Sequence, residues 1–354
     1  MIIITDTKKR ESENRLTANF RLKSKESMDK KHPKAHIKAA FASGSKRYDY
    51  ILDEWLCSKQ IAVKESTYVR YLRLVNSYIR PKFGSFGVSE IDSKLLESYA
   101  HTLLTGKCAQ NKTALSPKTV TDILEVIKST LAYARSEGYD GVRAIGKINI
   151  KKATKEIRVF SPKEQSTLVS YLLSNTDRYK AGVLLSLYTG IRIGELCALK
   201  WENISLSTRT VKITATMQRI ENVDFSCGQR TKIIITEPKS RSSIRTIPLP
   251  LCICSVLEKF VNFPEAFFLS GDKDAFCEPR TMQYHFKKYL SNCAIAPAGF
   301  HTLRHTFATR CIESGFEIKS LSEILGHSSV NITLNRYVHS SFELKAKNMD
   351  LLSF

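Results

Sequence analysis

The sequence lacks any apolar stretch long enough to cross a membrane. Its opening residues, MIIITDTKKR, have too short an apolar run and the wrong order of charge for a signal peptide. The nine cysteines are an odd number and contain no C-x-x-C pair, which argues against a disulfide framework and against a zinc site. We therefore expect a cytoplasmic protein that works in a reducing compartment without contact with a membrane.

The sequence also lacks a P-loop and a G-x-G-x-x-G motif, so it predicts no nucleotide cofactor. No carboxylate cluster suited to Mg²⁺ is evident, and no metal is expected. Acidic residues are scarce relative to basic ones, because 55 Lys and Arg stand against 34 Asp and Glu for a formal net charge of +21. Such a surplus indicates a polyanionic partner, above all nucleic acid, although a generically basic surface is the alternative.

The pattern along the chain predicts five segments. Residues 1–46 are polar and rich in Lys and Arg, which is typical of a flexible basic arm. Residues 47–148 show helical periodicity with short loops and predict an all-α bundle, and the basic stretch 149–159 predicts an extended linker. Residues 160–339 mix helices with β-branched strands and predict an α+β domain. The tail 340–354 carries one apolar helical stripe.

Local signals predict several element boundaries. Ser116 followed by Pro117 is a helix start, and Gly138 is the expected stop of that helix. Ser161 and Glu164 have capping-box spacing at the start of the second domain. Three strands, RTVKITATMQR, RTKIIITEPKS and SIRTIPLP, predict a small three-stranded antiparallel sheet among the helices.

The segment HTLRHTFATRCIESG places positive charge at the start of an apolar helix. At 100° per residue, Arg304 falls within the face marked by Leu303, Phe307 and Cys311. A guanidinium that points inward needs a partner, because an uncompensated buried charge costs several kcal/mol. An ion pair with Asp or Glu is one interpretation; a pocket for an anion, with His301 beside it, is the other.

Four further residues have an ordinary interpretation when each is taken alone. Arg192 in YTGIRIGEL suits an ion pair with Glu195 on a surface helix, although a helix start with a forked guanidinium also suits phosphate. Lys239 lies at the tip of an apparent β-hairpin, where most lysines are simply solvated. His327 follows Gly326, which is typical of a helix C-cap, and Tyr337 borders an apolar stripe as a core tyrosine would.

Taken together, these segments resemble the tyrosine recombinase (phage integrase) family, in the style of integrases of phages and conjugative transposons. The matching motifs, in order, are TGIRIGEL, PKSRSSIRTIPL, HTLRHTFAT, LGHSSVNITLNRY and the closing YVH. The resemblance extends over nearly all of Phe160 to His339. The preceding helical domain resembles, more loosely, the SAM-like core-binding domain of that family.

The resemblance implies a role for each matching residue. Arg192 and Arg304 correspond to the two arginines that grip the scissile phosphate, and Lys239 to the lysine that protonates the leaving 5′ oxygen. His301 corresponds to the histidine of the H-x-x-R pair, and His327 to a position held by His or Trp in the family.

The resemblance also assigns the nucleophile and its support. Tyr337 corresponds to the tyrosine that attacks phosphorus, and Glu195 to an acidic position that supports the site. Two arginines with histidine donors can neutralise a five-coordinate phosphorane-like transition state without a metal. A tyrosine ester at the 3′ phosphate conserves the bond energy for rejoining, so that ATP is not needed.

Double-stranded DNA is the expected partner. A helical domain and a catalytic domain joined by a basic linker can close around a duplex, and the candidate phosphate contacts are Lys64, Arg70, Arg73, Lys151, Lys152 and Lys155. In the family the C-terminal tail docks on a neighbouring protomer, so the resemblance implies a homo-tetramer on two DNA sites. Accessory DNA-bending or directionality proteins are further possible partners.

The expected activity is integration and excision of a mobile element. The basic arm and the strand insert MQRIENVDFSCGQRTKIII favour this reading, although the arm is short for a folded arm-binding domain. DNA inversion or dimer resolution by the same chemistry is a close alternative. A type IB topoisomerase-like enzyme and a non-catalytic DNA-binding regulator are more distant ones.

Overall fold

The computed structural model describes residues 47–106, 113–151, 157–223, 228–238, 240–337 and 349–350. Predictions for the arm 1–46, for Lys152, Lys155 and Lys239, and for nearly all of the tail lie outside these residues. The chain forms two compact units, Met1–Ala153 and Thr154–Phe354. The mainly helical fold with a small amount of antiparallel sheet confirms the predicted fold class.

The regular secondary structure described in unit 1 is helical, apart from an isolated β-bridge between Arg47 and Gly87. Its helices are α1 (Tyr48–Ala62), α2 (Glu65–Leu74), α3 (Arg80–Phe83), α4 (Ser93–Thr105) and α5 (Pro117–Ser136). A π-helical turn, Val75–Ile79, joins α2 to α3, and a short 3₁₀ turn, Val88–Glu90, precedes α4.

The residues predicted to start and to stop α5 lie at its two ends. The Ser116 side chain accepts a hydrogen bond from the backbone N–H of Thr119 at 3.1 Å, and Pro117 occupies the first turn. Gly138, two residues beyond the helix, adopts a left-handed φ of 78°. A free N–H at the helix start is thereby satisfied, and the chain turns away where glycine alone avoids strain.

The core of unit 1 is built around aromatic residues. Tyr48, Trp55 and Phe83 are almost completely buried. The Trp55 indole N–H donates to the Ser129 hydroxyl at 3.2 Å, and the Tyr48 hydroxyl is hydrogen-bonded to Thr130. Because α1 and α5 share both hydrogen bonds, the polar ends of these rings are satisfied inside the core.

Unit 2 contains eight further helices in its described residues. They are α6 (Pro162–Leu173), α7 (Arg178–Thr189), α8 (Ile193–Cys197), α9 (Leu251–Leu257), α10 (Pro279–Asn292), α11 (His301–Glu313), α12 (Ile318–Leu325) and α13 (Val330–Tyr337). The capping box at the start of α6 is present: the Ser161 side chain accepts from the Glu164 N–H at 3.2 Å, and the Glu164 carboxylate accepts from the Ser161 N–H at 2.8 Å.

The predicted single three-stranded sheet is wrong in detail, because the strands divide into two sheets. Strands β1 (Ile204–Ser205), β2 (Thr210–Ile213) and β5 (Arg245–Pro248) form one antiparallel sheet in the order β1-β2-β5. Strands β3 (Thr216–Glu221) and β4 (Thr231–Thr236) pair only with each other. The segment RTVKITATMQR, which reads as one strand, breaks after Ile213 and contributes to both sheets.

This division also excludes the hairpin predicted between the segments that form β4 and β5. The sequence places Lys239 at the tip of a hairpin between β4 and β5, but β4 pairs with β3 and β5 pairs with β2. Strands β4 and β5 therefore belong to different sheets and do not form the predicted hairpin with each other. Lys239 itself lies outside the described residues.

One large hydrophobic cluster fills unit 2, and a smaller one lies under its last helices. The smaller cluster consists of Ala308, Cys311, Leu321, Leu325 and Tyr337, which come from α11, α12 and α13. Within the described ranges, no helix is both long and apolar enough to cross a bilayer. Those ranges also contain no group of three or more His, Cys, Asp or Glu side chains arranged to hold a metal ion.

Candidate active site

A cavity of about 280 Å³ opens on unit 2 where segments distant in sequence converge. Its lining residues are Arg192, Ser240, Ser243, His301, Arg304, Gly326, His327, Ser328 and Ile332. Two guanidinium groups and two imidazoles thus face one space, and none of the described residues that line it carries a carboxylate. The cavity therefore suits an anion with several oxygen atoms, since forked and ring N–H donors can bind more than one oxygen at once.

Arg304 is the most deeply placed of these groups, with 2% of its surface exposed. One terminal nitrogen donates to the Gly190 carbonyl at 2.9 Å and the other to the Leu325 carbonyl at 2.7 Å. No ion pair among the described residues includes Arg304, so the carboxylate partner considered from the sequence is absent there. Burial, reinforced by the nearby charge of Arg192, lowers the pKa of Arg304 to about 9. The group stays charged at neutral pH and gains from an anion in the cavity.

The two carbonyl groups that bind Arg304 lie at the C-terminal ends of two helices. Gly190 is the C-cap of α7 and Gly326 is the C-cap of α12, and both glycines adopt left-handed φ values, 66° and 64°. The last carbonyls of a helix have no partner within it and form the negative end of its dipole. These two helix ends therefore bind a buried guanidinium without neutralising its full charge.

The C-terminus of α12 receives three arginines in all. Besides the bond from Arg304, the Arg245 Nε donates to the Ile324 carbonyl at 2.6 Å. Arg192 donates to the Gly326 carbonyl at 3.3 Å. This helix end thus binds cations from the N-cap of α8, from β5 and from α11, and fixes their positions around the cavity.

Glu195 supplies the compensating negative charge behind the cavity. It is 3% exposed and accepts from the Arg192 backbone N–H at 2.9 Å and from the Arg192 side chain at 2.7 Å. Arg245 binds both oxygens of the same carboxylate, at 3.2 and 2.9 Å. Burial alone would raise the pKa of Glu195, but the hydrogen bonds and charges of Arg245 and Arg192 outweigh it and hold the pKa below its usual range.

The pair of Arg192 with Glu195 predicted for a surface helix is present, yet its setting differs from the prediction. The carboxylate is buried, while about a third of the Arg192 side chain, 35%, remains exposed toward the cavity. Glu195 therefore orients Arg192 from behind and leaves part of its guanidinium accessible.

Two histidines also line the cavity. His301 occupies the first position of α11 and is exposed. His327 follows the α12 C-cap, and its Nδ1 lies 2.8 Å from the buried hydroxyl of Thr333. The contact with Thr333 thus engages one ring nitrogen of His327 and fixes the orientation of the ring at the cavity.

Tyr337 lies beside the cavity but is not among its lining residues. It is 7% exposed, and its hydroxyl is 2.8 Å from Nδ1 of His305. The ring planes of Tyr337 and His327 are nearly parallel, with an angle of 6° and centroids 6.4 Å apart. The expected nucleophile therefore lies next to His327, which lines the cavity, and its hydroxyl contacts His305, which does not.

The comparisons with known proteins follow the same division of the chain. The family model "Phage integrase family" matches residues 158–343, and "Phage integrase, N-terminal SAM-like domain" matches residues 48–104. The chain belongs to the phage integrase family. The family predicted from the sequence motifs is thereby confirmed.

Relatives of this phage integrase family chain include named recombinases and integrases. A "Tyrosine recombinase XerC-like" protein from Caldanaerobacter subterraneus subsp. tengcongensis is 26% identical over 86% of this chain and 82% of its own. The ICEBs1 integrase of Bacillus subtilis is 22% identical over 84% of this chain and 80% of its own. The solved structure of a Tn1549 transposon integrase with circular-intermediate DNA shares the fold, with a TM-score of 0.69 at 20% identity, over 87% of this chain and 100% of that one.

Some predicted residues lie elsewhere in this integrase-family chain. Lys64, Arg70 and Arg73 lie on or next to α2 of unit 1, and all three are exposed. Arg70 is ion-paired with Asp122, so part of its charge is already neutralised. Lys151 is exposed at the end of the described part of unit 1, whereas Lys152 and Lys155 lie outside the described residues.

Among the site residues that are absent from the sequence predictions, three contact predicted members of the site: Arg245 binds Glu195, His305 lies against Tyr337, and Thr333 lies against His327. Arg245 had a visible signal, since a charged residue precedes apolar Ile247 by two positions on a short strand and must share its face. His305 lies one helical turn after His301, the spacing that places two side chains on one face. Thr333 carries no signal of this kind, because a buried threonine resembles any other small core residue.

Proposed function

We propose that this chain cuts and rejoins double-stranded DNA at specific sites through a 3′-phosphotyrosine intermediate, and that it integrates and excises a mobile element. The observation that carries the proposal is the convergence of Arg192, Arg304, His301 and His327 on one cavity, with the Tyr337 hydroxyl beside it. The described part of the cavity lining contains no carboxylate. A phosphodiester in that cavity would meet forked donors where charge develops during attack.

In the proposed reaction, the Tyr337 oxygen attacks the scissile phosphorus and the bond from phosphorus to the 5′ oxygen breaks. Arg192 and Arg304 bind the non-bridging oxygens, with His301 and His327 as further donors. Lys239 gives its proton to the leaving 5′ oxygen, which departs as a hydroxyl. Attack by a 5′ hydroxyl on the tyrosine ester then restores a phosphodiester, so the number of high-energy bonds is unchanged.

The mobile-element role is supported by the kind of relatives that match. The ICEBs1 integrase and the Tn1549 transposon integrase are integrases by name, and the chain is similar to each over more than four fifths of its length. The XerC-like and XerC recombinases are similar to it over comparable or smaller shares of this chain. Inversion and dimer resolution use the same chemistry and remain the alternatives for the biological role.

For DNA binding, we propose a basic arm (1–46), a helical core-binding domain (47–148), a linker (149–159), a catalytic domain (160–339) and a docking tail (340–354). The proposed phosphate contacts are Lys64, Arg70, Arg73, Lys151, Lys152 and Lys155. The net charge of +21 supports a grip on the backbone, and affinity should fall steeply with salt. The assembly is a tetramer on two sites in the cytoplasm, with accessory DNA-bending proteins as further partners.

The test is a nicked suicide duplex taken from the DNA that flanks the gene, incubated with the full chain. The wild type should form a covalent protein–DNA adduct that maps to one position, and Tyr337→Phe should form none. Tyr284→Phe is the matched control, because Tyr284 is 66% exposed on α10 and does not line the cavity. An adduct that survives Tyr337→Phe, or wild-type protein that binds the duplex without cleaving it, would contradict the proposal.

A further inference from the structure

His305 is set apart from the other two histidines of the site by what it contacts. His301 and His327 line the cavity, whereas His305 does not. Its Nδ1 instead lies 2.8 Å from the Tyr337 hydroxyl, within normal hydrogen-bond distance. Two of the three imidazoles thus line the proposed anion site, and the third contacts the proposed nucleophile.

Contacts with neighbouring rings fix the position of the His305 side chain. It lies on α11 one turn beyond His301, and the two rings are perpendicular with centroids 4.6 Å apart. The ring of His327 packs parallel to that of Tyr337 on another side of the phenol. On the same helix, Arg304 is fixed by hydrogen bonds to the carbonyls of Gly190 and Leu325.

We infer that His305 is a further catalytic residue, which accepts the proton of the Tyr337 hydroxyl through Nδ1 as the phenol oxygen attacks phosphorus. The inference rests on the proposed function and adds the base to it. As the bond from the Tyr337 oxygen to phosphorus forms, the O–H bond breaks and its electron pair stays on oxygen. The proton moves to Nδ1 and makes an imidazolium, while the 5′ oxygen leaves with a proton from Lys239.

An imidazole is a suitable base for this step. A free phenol has a pKa of about 10 and an imidazole about 6.5, so a complete transfer before attack is unfavourable. The phenol oxygen becomes far more acidic as it bonds to phosphorus, and a base already in contact then takes the proton within the transition state. Such general base catalysis contributes roughly 10²- to 10⁴-fold in rate.

The first measurement is single-turnover cleavage of the suicide duplex at saturating protein. His305→Ala should lower the cleavage rate by roughly 10²- to 10⁴-fold with unchanged affinity for DNA. His305→Asn places an amide near the position of Nδ1 and can hold the hydroxyl, but it cannot take the proton, so it should remain at least about tenfold slower than wild type. His285→Ala is the matched control, because His285 is also half-buried but stacks on Tyr179 away from the cavity.

The second measurement separates the nucleophile from the leaving group. A duplex with sulfur in place of the bridging 5′ oxygen has a leaving group that needs no proton. The defect of His305→Ala should persist on this substrate, whereas a defect in leaving-group protonation should disappear. Rescue by sulfur would overturn the inference, and so would His305→Ala or His305→Asn cleaving at the wild-type rate or faster.

These results are distinguishable from failure of the proposed function. If the wild type forms no adduct, or Tyr337→Phe still forms one, the proposed function itself is wrong. If the wild type cleaves, Tyr337→Phe does not, and the His305 variants are unimpaired, then only the role of His305 is wrong. If His305→Ala does not fold, His305→Asn tests the role of His305 by itself, because it preserves a polar partner for the phenol.

Discussion

Replacement of Glu195 by Gln should destabilise the chain, because one buried carboxylate compensates two arginines. Glu195 accepts four hydrogen bonds, two from Arg192 and two from Arg245, and the Arg245 side chain is only 6% exposed. A glutamine side chain in its place would keep the shape and one acceptor, but its NH₂ group would face guanidinium donors. Removal of one partner from a buried ion pair costs about 3–5 kcal/mol, and the retained acceptor places the expected loss at about 3 kcal/mol.

This loss is measurable by thermal unfolding of the full chain, followed by circular dichroism or calorimetry at pH 7. For a unit the size of unit 2, each kcal/mol lowers Tm by about 2–4 °C, so Glu195→Gln should lower it by roughly 6–12 °C. Glu313→Gln is the control. Glu313 is paired with Arg310, but its side chain is 53% exposed, and exposed pairs contribute about 1 kcal/mol or less.

The pH dependence supplies a second check on the same reasoning. The pKa of Glu195 is lowered in the folded chain, so its contribution is fully present above the ordinary glutamate pKa and is lost as pH falls through the lowered value. The Tm difference between wild type and Glu195→Gln should be constant near neutrality and shrink below about pH 4. A variant that unfolds within about 1 °C of wild type at pH 7, or a difference that grows on acidification, would refute this account.

Three further changes have definite expected outcomes. Ser116→Ala removes the N-cap of α5 and should cost about 1 kcal/mol, measured as the shift of the urea midpoint at unchanged slope; no shift would show that the cap contributes nothing. Gly190→Ala places a Cβ 2.6 Å from the Phe307 ring at a φ of +66°, so we expect a loss of more than about 1 kcal/mol by the same measurement, and an unchanged midpoint would show that α11 can move away. Thr333→Val removes the hydroxyl that lies 2.8 Å from Nδ1 of His327; we expect slower cleavage with unchanged DNA affinity, and weaker binding with normal cleavage would contradict this role.

Much of the local structure of this chain follows from short-range signals. The cap of Ser116, the capping box of Ser161 and the left-handed Gly326 lie where the sequence predicts helix ends. Each of these signals acts within one helical turn, so it can be read without knowledge of the fold. Strand pairing could not be read in the same way, because β-branched residues indicate a strand but not its partner.

The sequence by itself determined the helix ends, the fold class and the family, since these depend on spacing within short ordered motifs. Only the tertiary structure decided how the cations of the site are held. The carbonyl that binds Arg304 is 114 residues away in Gly190, and the one that binds Arg192 is 134 residues away in Gly326. A buried charge binds the polar groups that packing places next to it. The sequence near a helix end, a shared carboxylate or a histidine does not show which distant residue will be its partner.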